Sequence, residues 1–360
     1  MPSSDIDSAV TDSTPGRYRR IPALIPRGGR PHRPLLAMVA LMTTLVAVSL
    51  LGTLVDDRVL LGESVWVKPL KFGFAFAAYG LTLAWLLSLP HRGSRATWWL
   101  GTVFAVTGVV DVGFIVVQAA RGTFSHFNGS ETDAVNVIGQ QIFMSGVPGL
   151  FLANLAIVVI LSWQRLVDRP TARAIHAGMA LAALGMFQAY LMGFTGKQRV
   201  LDADGRVVEL VAGHTVIDPA SRTEAVRDAD GMPITHWSTT GGDLRIAHFV
   251  GLHGIQILLL GVLVTAWLAP RQPWLRAERT RAELIGVLAF GYTGLFALVF
   301  WQAMRAQSPI HPDDTTLGVF AGLVAVVAGL TVLVYLRGRD LIRAEPDTAP
   351  ALSAVVRPLG

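Results

Sequence analysis

The hydrophobic pattern along this chain consists of eight long apolar runs separated by mostly short polar connections. Each run has at least the roughly 20 residues that an α-helix needs to cross about 30 Å of hydrocarbon. The pattern therefore predicts an all-α fold, a polytopic bundle of eight transmembrane helices. The predicted spans are residues 35–55, 69–89, 98–120, 138–162, 174–195, 246–269, 284–304 and 317–336.

Polar segments divide the rest of the chain. Residues 1–33 mix Ser, Asp, Thr, Pro and Arg without periodicity, and residues 341–360 are rich in Pro and Ala, so both are predicted to be disordered tails around a membrane domain at 34–340. The one long connection, 196–242, contains Asp-x-Asp-Gly sequences at 202–205 and 228–231 between Val-containing segments. This pattern predicts a small insert of two short hairpins.

Arginine alternates between the connections, and this alternation predicts the orientation. Cytoplasmic loops retain Lys and Arg during insertion, so the arginine-rich side is predicted to be cytoplasmic. Both termini then face the cytoplasm, the 196–242 loop is extracytoplasmic, and the predicted location is a bacterial cytoplasmic membrane. The arginines on the predicted cytoplasmic side are Arg17, Arg19, Arg20, Arg27, Arg30, Arg33, Arg92, Arg95, Arg165, Arg169, Arg173, Arg271, Arg276, Arg279, Arg281, Arg337, Arg339 and Arg343.

Composition agrees with a membrane protein, since 52% of residues are hydrophobic and only 15% are charged. The net charge of +5 comes from dispersed loop arginines, so the predicted partner is the lipid bilayer and no nucleic acid. The absence of cysteine excludes disulfides, thiolate nucleophiles and Cys-ligated metals. No nucleophile elbow, phosphate-binding glycine loop or dinucleotide fingerprint is present, so no enzymatic activity is assigned.

Two pairs of short motifs suggest an internal repeat. Lys-x-x-Lys-Phe at 68–72 opens the second span, and Arg-x-x-His-Phe at 245–249 opens the sixth. Gln-Ala-x-Arg ends the third span at 118–121 and the seventh at 302–305. Both matches relate spans four apart, which favours a parallel four-plus-four duplication. Chance similarity in Ala- and Leu-rich sequence is the alternative.

The polar residues within the spans concentrate toward the predicted outer ends, where they suggest a cleft. Asp111 and His253 lie at similar depth and are predicted to pair on the floor of an outward-open cleft between the third and sixth spans, because an unpaired charge there is unfavourable. Gln118, His248 and Gln256 are further candidates for its lining. The predicted cationic rim consists of Lys68, Lys71, Arg121, Arg245 and Arg305.

Each of these candidates also has a structural interpretation. The rim cations can extend their side chains to lipid phosphates at the interface. Asp111 can form an ion pair that only fixes helix register, and His248 and His253 can bond to backbone carbonyls. The sequence leaves both interpretations open.

Haem and zinc are alternatives for the histidines, although neither is predicted. His248 and His253 are five residues apart, about 140° around a helix, so they cannot both bind one iron. A zinc site could use His126, His236, His248 and Asp243, whose ligand types fit, but no close histidine spacing supports it.

Three segments of the chain carry a resemblance to known sequences. They are 66–72, 118–128 and, most specifically, 237–245 continuing to His253 and Gln256. In these segments the chain resembles a family of bacterial multi-pass membrane proteins, of about eight helices, with no assigned activity. The resemblance implies the membrane architecture and singles out these segments, but it implies no reaction.

The sequence is compatible with three hypotheses for function. The first is a transporter-like protein whose outward cleft takes an anionic small molecule or a lipid headgroup, with Asp111 and His253 as a proton-sensitive pair. The second is a membrane redox or metal/haem enzyme with its site at the outer face. The third is a structural or accessory subunit in which the polar residues only specify helix packing.

Overall fold

A computed structural model describes residues 30–164, 166–218, 228 and 231–344 of this protein. In these residues eight helices are long and apolar enough to cross a membrane, which confirms the predicted multi-pass bundle. The chain is an integral membrane protein. The helices are α1 (Arg33–Val55), α2 (Val67–Ser88), α3 (Ser94–Ala120), α4 (Ala134–Ser162), α5 (Arg169–Ala189), α6 (Leu244–Leu268), α7 (Glu278–Met304) and α8 (Asp314–Ala344).

Local signals set several helix ends. Asp133 and Asp243 cap α4 and α6, since each carboxylate accepts a hydrogen bond from the backbone N–H two residues on. A 3₁₀ turn, Tyr190–Phe194, follows α5 directly. Helix α8 continues to Ala344, beyond the predicted boundary at 340. Most of the predicted tails, at 1–29 and 345–360, lies outside the described residues.

Within the described ranges, six short strands lie in the connections at one end of the bundle, which we call the hairpin face. The first predicted hairpin is confirmed: Asp202 accepts hydrogen bonds from the backbone of Asp204 and Arg206 and so closes the turn between β3 and β4. Residues 229–230 of the second predicted hairpin lie outside the described residues. The strands are β1 (Val59–Leu60), β2 (Glu63–Ser64), β3 (Gln198–Leu201), β4 (Val207–Leu210), β5 (Thr215–Val216) and β6 (Gly242–Asp243).

Helix packing repeats with a period of four helices. In the first half α1 packs against α2 and α3, α2 against α3, and α3 against α4. In the second half α5 packs against α6 and α7, α6 against α7, and α7 against α8. The halves meet where α4 packs against α5 and, over a short stretch, where α2 meets α6. This recurrence supports the predicted four-plus-four duplication.

The ends of α3 and α7 repeat the same hydrogen bond. Gln118 donates its side-chain amide to the carbonyl oxygen of Phe124, six residues on, over 3.3 Å. Gln302 donates to the carbonyl oxygen of Ser308, also six residues on, over 2.9 Å. A glutamine on the last turn therefore fixes the chain as it leaves the bundle in both halves.

Candidate functional site

A cavity of about 130 Å³ lies at the hairpin face, where the ends of α2, α3 and α6 meet beneath the α3–α4 and α5–α6 connections. We call it the inner cavity. Its charged and imidazole side chains are Glu63, Lys68, Lys71, His126, His214, Asp228, His236 and Arg245. Its aromatic side chains are Phe72, Phe124, Phe127 and Phe249. The inner cavity thus combines several cations with aromatic walls.

Three of the five predicted rim cations come together here. Lys71 forms an ion pair with Glu63 and donates a second hydrogen bond to the carbonyl oxygen of Thr235, at 2.9 Å. Arg245 and Lys68 face the same space. The first two turns of α2 and the first turn of α6 therefore point their basic side chains at one another across the junction of the two halves.

Arg245 is held by a carboxylate two residues before it. The Asp243 side chain is fully buried and lies 2.6 Å from the guanidinium of Arg245. The same carboxylate caps α6 and accepts the backbone N–H of Ser238 at 2.7 Å. Arg245 also donates to the carbonyl oxygen of His236. One carboxylate thus orients the helix start, the preceding loop and the cation together.

Lys68 differs from the other two cations. Among the residues that the structure describes, its ammonium has no hydrogen-bond or ion-pair partner, although Glu63 and Asp228 are near enough to attract it electrostatically. The carboxylate of Asp228 is already engaged, because it accepts hydrogen bonds from Thr215 at 2.7 Å and Gln198 at 2.9 Å. The amino group of Lys68 therefore faces the inner cavity without a direct partner among the described residues.

His126 lies among aromatic rings in the cavity wall. Its ring is 5.4 Å from that of Phe72 and 4.3 Å from that of Phe143. Burial lowers the pKa of His126 well below its usual value, and the positive charge of Lys68 together with the neighbouring imidazoles His214 and His248 lowers it further. The His126 imidazole is therefore neutral at neutral pH.

His214 and Asp228 form a second polar pair in the cavity wall, 3.9 Å apart. Burial lowers the pKa of His214, and the nearby guanidinium of Arg245 acts in the same direction. Burial opposes the ionisation of Asp228, but His214 and the hydrogen bond from Thr215 outweigh it and lower the pKa of this carboxyl. The carboxyl of Asp228 is therefore ionised in the cavity wall at neutral pH.

Two predicted rim cations lie elsewhere. Arg121 forms an ion pair with Asp133, the cap of α4, at 2.9 Å, and Arg305 pairs in the same way with Asp313 before α8. In both cases the arginine that follows one helix binds the aspartate that precedes the next, so the pairs repeat with the two halves. The hydrogen bond from Arg121 lowers the pKa of Asp133. Neither arginine is among the residues that line the inner cavity.

The predicted pair between Asp111 and His253 is not formed. The Asp111 carboxyl is buried between α3 and α4 against Gly146, and neither of its oxygens has a hydrogen-bond partner among the described residues. The His253 ring instead stacks on Phe249, with ring centroids 6.3 Å apart. Helix α3 turns Asp111 toward α4, because that is the helix it packs against most closely. Asp111 is therefore not part of the cavity floor.

The remaining polar candidates make structural contacts. The His248 ring is bonded to the carbonyl oxygen of Gly185 at 2.8 Å, a contact of the kind that the structural interpretation expects. Gln118 binds the α3–α4 connection and is buried. Gln256 donates to the hydroxyl of Thr82 on α2 at 3.0 Å, and so connects the two halves below the inner cavity.

The candidate zinc ligands are not assembled. Asp243 is occupied by Arg245, and one nitrogen of His248 is bonded to Gly185. Within the described residues no three His, Asp or Glu side chains could hold a metal ion together. His126 and His236 do line the inner cavity, but Asp243 does not and His248 does not, so the four candidates do not share one space.

The repeated motifs meet at the inner cavity. Lys68 and Arg245 are equivalent positions of the two halves, as are Phe72 and Phe249, and all four line it. The cavity therefore lies at the junction of the repeats, which is where duplicated membrane proteins commonly place binding sites.

Three charged or imidazole residues of the site were not among the candidates that the sequence predicted. Glu63 lies in the α1–α2 connection, and His214 and Asp228 lie in the long α5–α6 connection. The acid eight residues before Lys71 was the only local signal for Glu63. For His214 and Asp228, nothing in the local pattern indicates that the connection folds back over α2.

Comparison with known proteins adds no activity. No protein-family model, curated protein or solved structure is significantly similar to this chain.

Proposed function

We propose that this integral membrane protein binds a small anionic group in the inner cavity and acts as a transporter-like protein for an anionic small molecule or a lipid headgroup. The observation that carries the proposal is Lys68, whose ammonium faces the inner cavity without a direct partner among the described residues. A buried or half-buried charge is normally paired, and an anionic ligand would supply the missing partner.

The charges around the inner cavity support a ligand with a single compact anionic group. Lys71 and Arg245 already have carboxylate partners, Glu63 and Asp243, so only Lys68 lacks one in contact. Each paired cation still has donors that can turn toward a ligand, since ammonium and guanidinium groups carry three and five N–H donors. The aromatic walls exclude water and so strengthen such contacts.

The location at the junction of the halves supports a transport role rather than binding alone. In duplicated membrane bundles, movement of one half against the other changes access to a site between them. Here Gln256 and Thr82 form a polar contact between α6 and α2 deeper in the same junction. This polar contact lies within the membrane, where a polar solute that leaves the inner cavity would meet it. The contact can also break and form again as one half moves against the other.

The proposed orientation places the hairpin face outside a bacterial cytoplasmic membrane. It follows from the arginine-rich connections at the opposite end of the bundle, where Arg92, Arg169, Arg276 and Arg339 lie among others. In this orientation the inner cavity takes its ligand from the extracytoplasmic side.

Inorganic phosphate is a suitable first probe. Thermal unfolding of the purified protein in detergent should be measured against phosphate concentration at constant ionic strength. We expect phosphate to raise the unfolding temperature of the wild type and of Lys197→Gln, which removes an exposed ammonium on the same face, and to have no effect on Lys68→Gln. An equal shift in Lys68→Gln would contradict the proposed site.

Transport is tested separately in proteoliposomes loaded with buffer and exposed to labelled phosphate. Uptake above that of empty liposomes, lost in Lys68→Gln, supports the transporter-like role. Binding that depends on Lys68 without uptake of this probe supports the site and argues against phosphate transport.

A further inference from the structure

A second, larger space adjoins the inner cavity. This outer pocket has a volume of about 570 Å³ and is open at the surface of the hairpin face. The turn between β1 and β2 forms one side, and the segment 231–239 forms the other. Glu63, Ser64 and His236 line both spaces, so a single layer of side chains separates them.

We propose that the two spaces form one bipartite site for an organic anion, with the anionic head in the inner cavity and an uncharged organic body in the outer pocket. This inference rests on the proposed function and specifies its substrate class. The inner cavity, at about 130 Å³, is much smaller than the outer pocket, at about 570 Å³, and so favours a compact head such as a phosphate or carboxylate group. The outer pocket has the size of a typical small-molecule site.

The chemistry of the outer pocket fits an uncharged body. Its one carboxylate, Glu63, is neutralised by Lys71. The rest of its wall is mixed: Val67, Met232 and Ile234 are apolar, and Ser64, His236 and Thr239 supply polar groups for an uncharged polar body. The Ile234 side chain is 91% exposed at the tip of the segment, and a ligand that covers it would remove apolar surface from water.

The dividing layer carries polar atoms that lack partners. Nε2 of His236 and the hydroxyl oxygen of Thr235 are buried and make no hydrogen bond to any described residue. Buried polar groups in proteins are normally hydrogen-bonded. A ligand that passes between the two spaces would place its ester, ether or hydroxyl oxygens near these atoms.

The backbone of the same layer is held by the cations of the inner cavity. Lys71 and Arg245 donate to the carbonyl oxygens of Thr235 and His236. An anionic head competes for these donors. Its arrival would therefore loosen the layer that separates the two spaces and join them.

Isothermal titration of the purified full-length protein tests the inference with inorganic phosphate, phenyl phosphate and dihexanoyl phosphatidic acid. The two organic probes distinguish a soluble source from a lipid source of the same chemistry. We expect the wild type to bind at least one of them about tenfold or more tightly than inorganic phosphate. Equal affinity for all three probes would overturn the bipartite site and leave the inner anion site intact.

Substitutions test whether any gain in affinity of the organic probes over inorganic phosphate comes from the outer pocket. Val67→Phe fills this pocket without lining the inner cavity, so it should abolish the gain and leave inorganic phosphate binding within about twofold. Val59→Phe, on the neighbouring strand and outside both spaces, is the matched control and should change neither. A gain that survives Val67→Phe in folded protein would overturn the inference.

Two further variants keep the outcomes distinct. Met232→Ala enlarges the outer pocket and should favour 1-naphthyl phosphate over phenyl phosphate, which provides a test if Val67→Phe does not fold. Lys68→Gln should weaken all phosphate probes together. If no probe binds, or if Lys68→Gln leaves binding unchanged, the proposed function fails along with the inference.

Discussion

Lys71 of α2 donates a hydrogen bond of 2.9 Å to the carbonyl oxygen of Thr235, which lies 164 residues further along the chain. This contact connects the first half of the bundle to the segment 231–239 that covers the inner cavity. It makes the order of that segment dependent on a cation from another helix, and it provides a direct test of the arrangement at the hairpin face.

We expect Lys71→Gln to loosen the segment without unfolding the bundle. A hydrogen bond from a charged donor contributes about 1.5 kcal/mol or more, so local opening should become roughly tenfold more frequent. Hydrogen exchange at the amides of Met232 and His236, which bond within the segment, measures this opening. Lys197→Gln, at an exposed ion pair on the same face, should leave both amides unchanged.

Asp243 should be one of the least replaceable residues at the hairpin face. Asp243→Ala removes the helix cap and leaves the guanidinium of Arg245 without its buried partner, so we expect a loss of about 3–5 kcal/mol in unfolding free energy. Unfolding in detergent measures the loss, and Asp204→Ala, in an exposed turn, is the control. The double variant Asp243→Ala with Arg245→Met should be more stable than Asp243→Ala alone; the opposite order would argue against the pairing.

Gly185 allows α5 and α6 to approach closely. An added Cβ would lie 2.8 Å from the backbone nitrogen of Leu252 and 2.9 Å from the carbonyl oxygen of His248, and these backbone atoms cannot move aside alone. We expect Gly185→Ala to lower the unfolding free energy by about 1–3 kcal/mol through overpacking. Gly113→Ala is the matched control, because an added Cβ there meets no atom within 4 Å, and it should be neutral in the same assay.

Replacement of Asp111 by Asn should be nearly neutral. The carboxyl makes no hydrogen bond to any described residue, so an amide of the same shape loses no contact. We expect the unfolding temperature to stay within the error of the wild type and any anion binding at the inner cavity to be unchanged. A large loss of stability would instead indicate an ion pair of Asp111, which the structure does not contain among the described residues.

The hairpin face should weaken in mild acid. Because the pKa of His126 is lower in the folded protein than in the unfolded chain, only the unfolded chain takes up a proton as the pH falls below about 6.5. The stability contributed at this site is therefore complete above pH 6.5 and is lost below it, by up to about 1.4 kcal/mol per pH unit. The charged or imidazole groups that face His126 are Lys68, His214 and His248.

His126→Phe tests the assignment, since a phenyl ring suits the aromatic surroundings of Phe72 and Phe143. The unfolding temperature should be measured from pH 8 to pH 5, and its slope against pH should be smaller for this variant than for the wild type. His311→Gln, an exposed imidazole on the same face, should keep the wild-type slope. Equal slopes for His126→Phe and the wild type would place the titrating group elsewhere, for example at His214.

The sequence by itself determined the eight spans, the turn at Asp202 and the motif pairs at 68–72 and 245–249. These features are local: the length of an apolar run decides whether a helix can cross a membrane, and an Asp-x-Asp-Gly turn closes through its own backbone. The motif pairs were recognisable because duplicated helices keep similar residues at their starts. None of these conclusions requires knowledge of which helices are neighbours.

Only the tertiary structure decided which polar residues meet. Four cations lie at similar depth in the membrane: Lys68, Lys71, Arg121 and Arg245. Three of them share the inner cavity, whereas Arg121 binds Asp133, the cap of α4. Similar depth for Asp111 and His253 did not bring them together, because the rotation of each helix about its axis depends on the packing of its neighbours. Depth follows from position in the sequence, but contact depends on that rotation and on loops that fold back over the bundle.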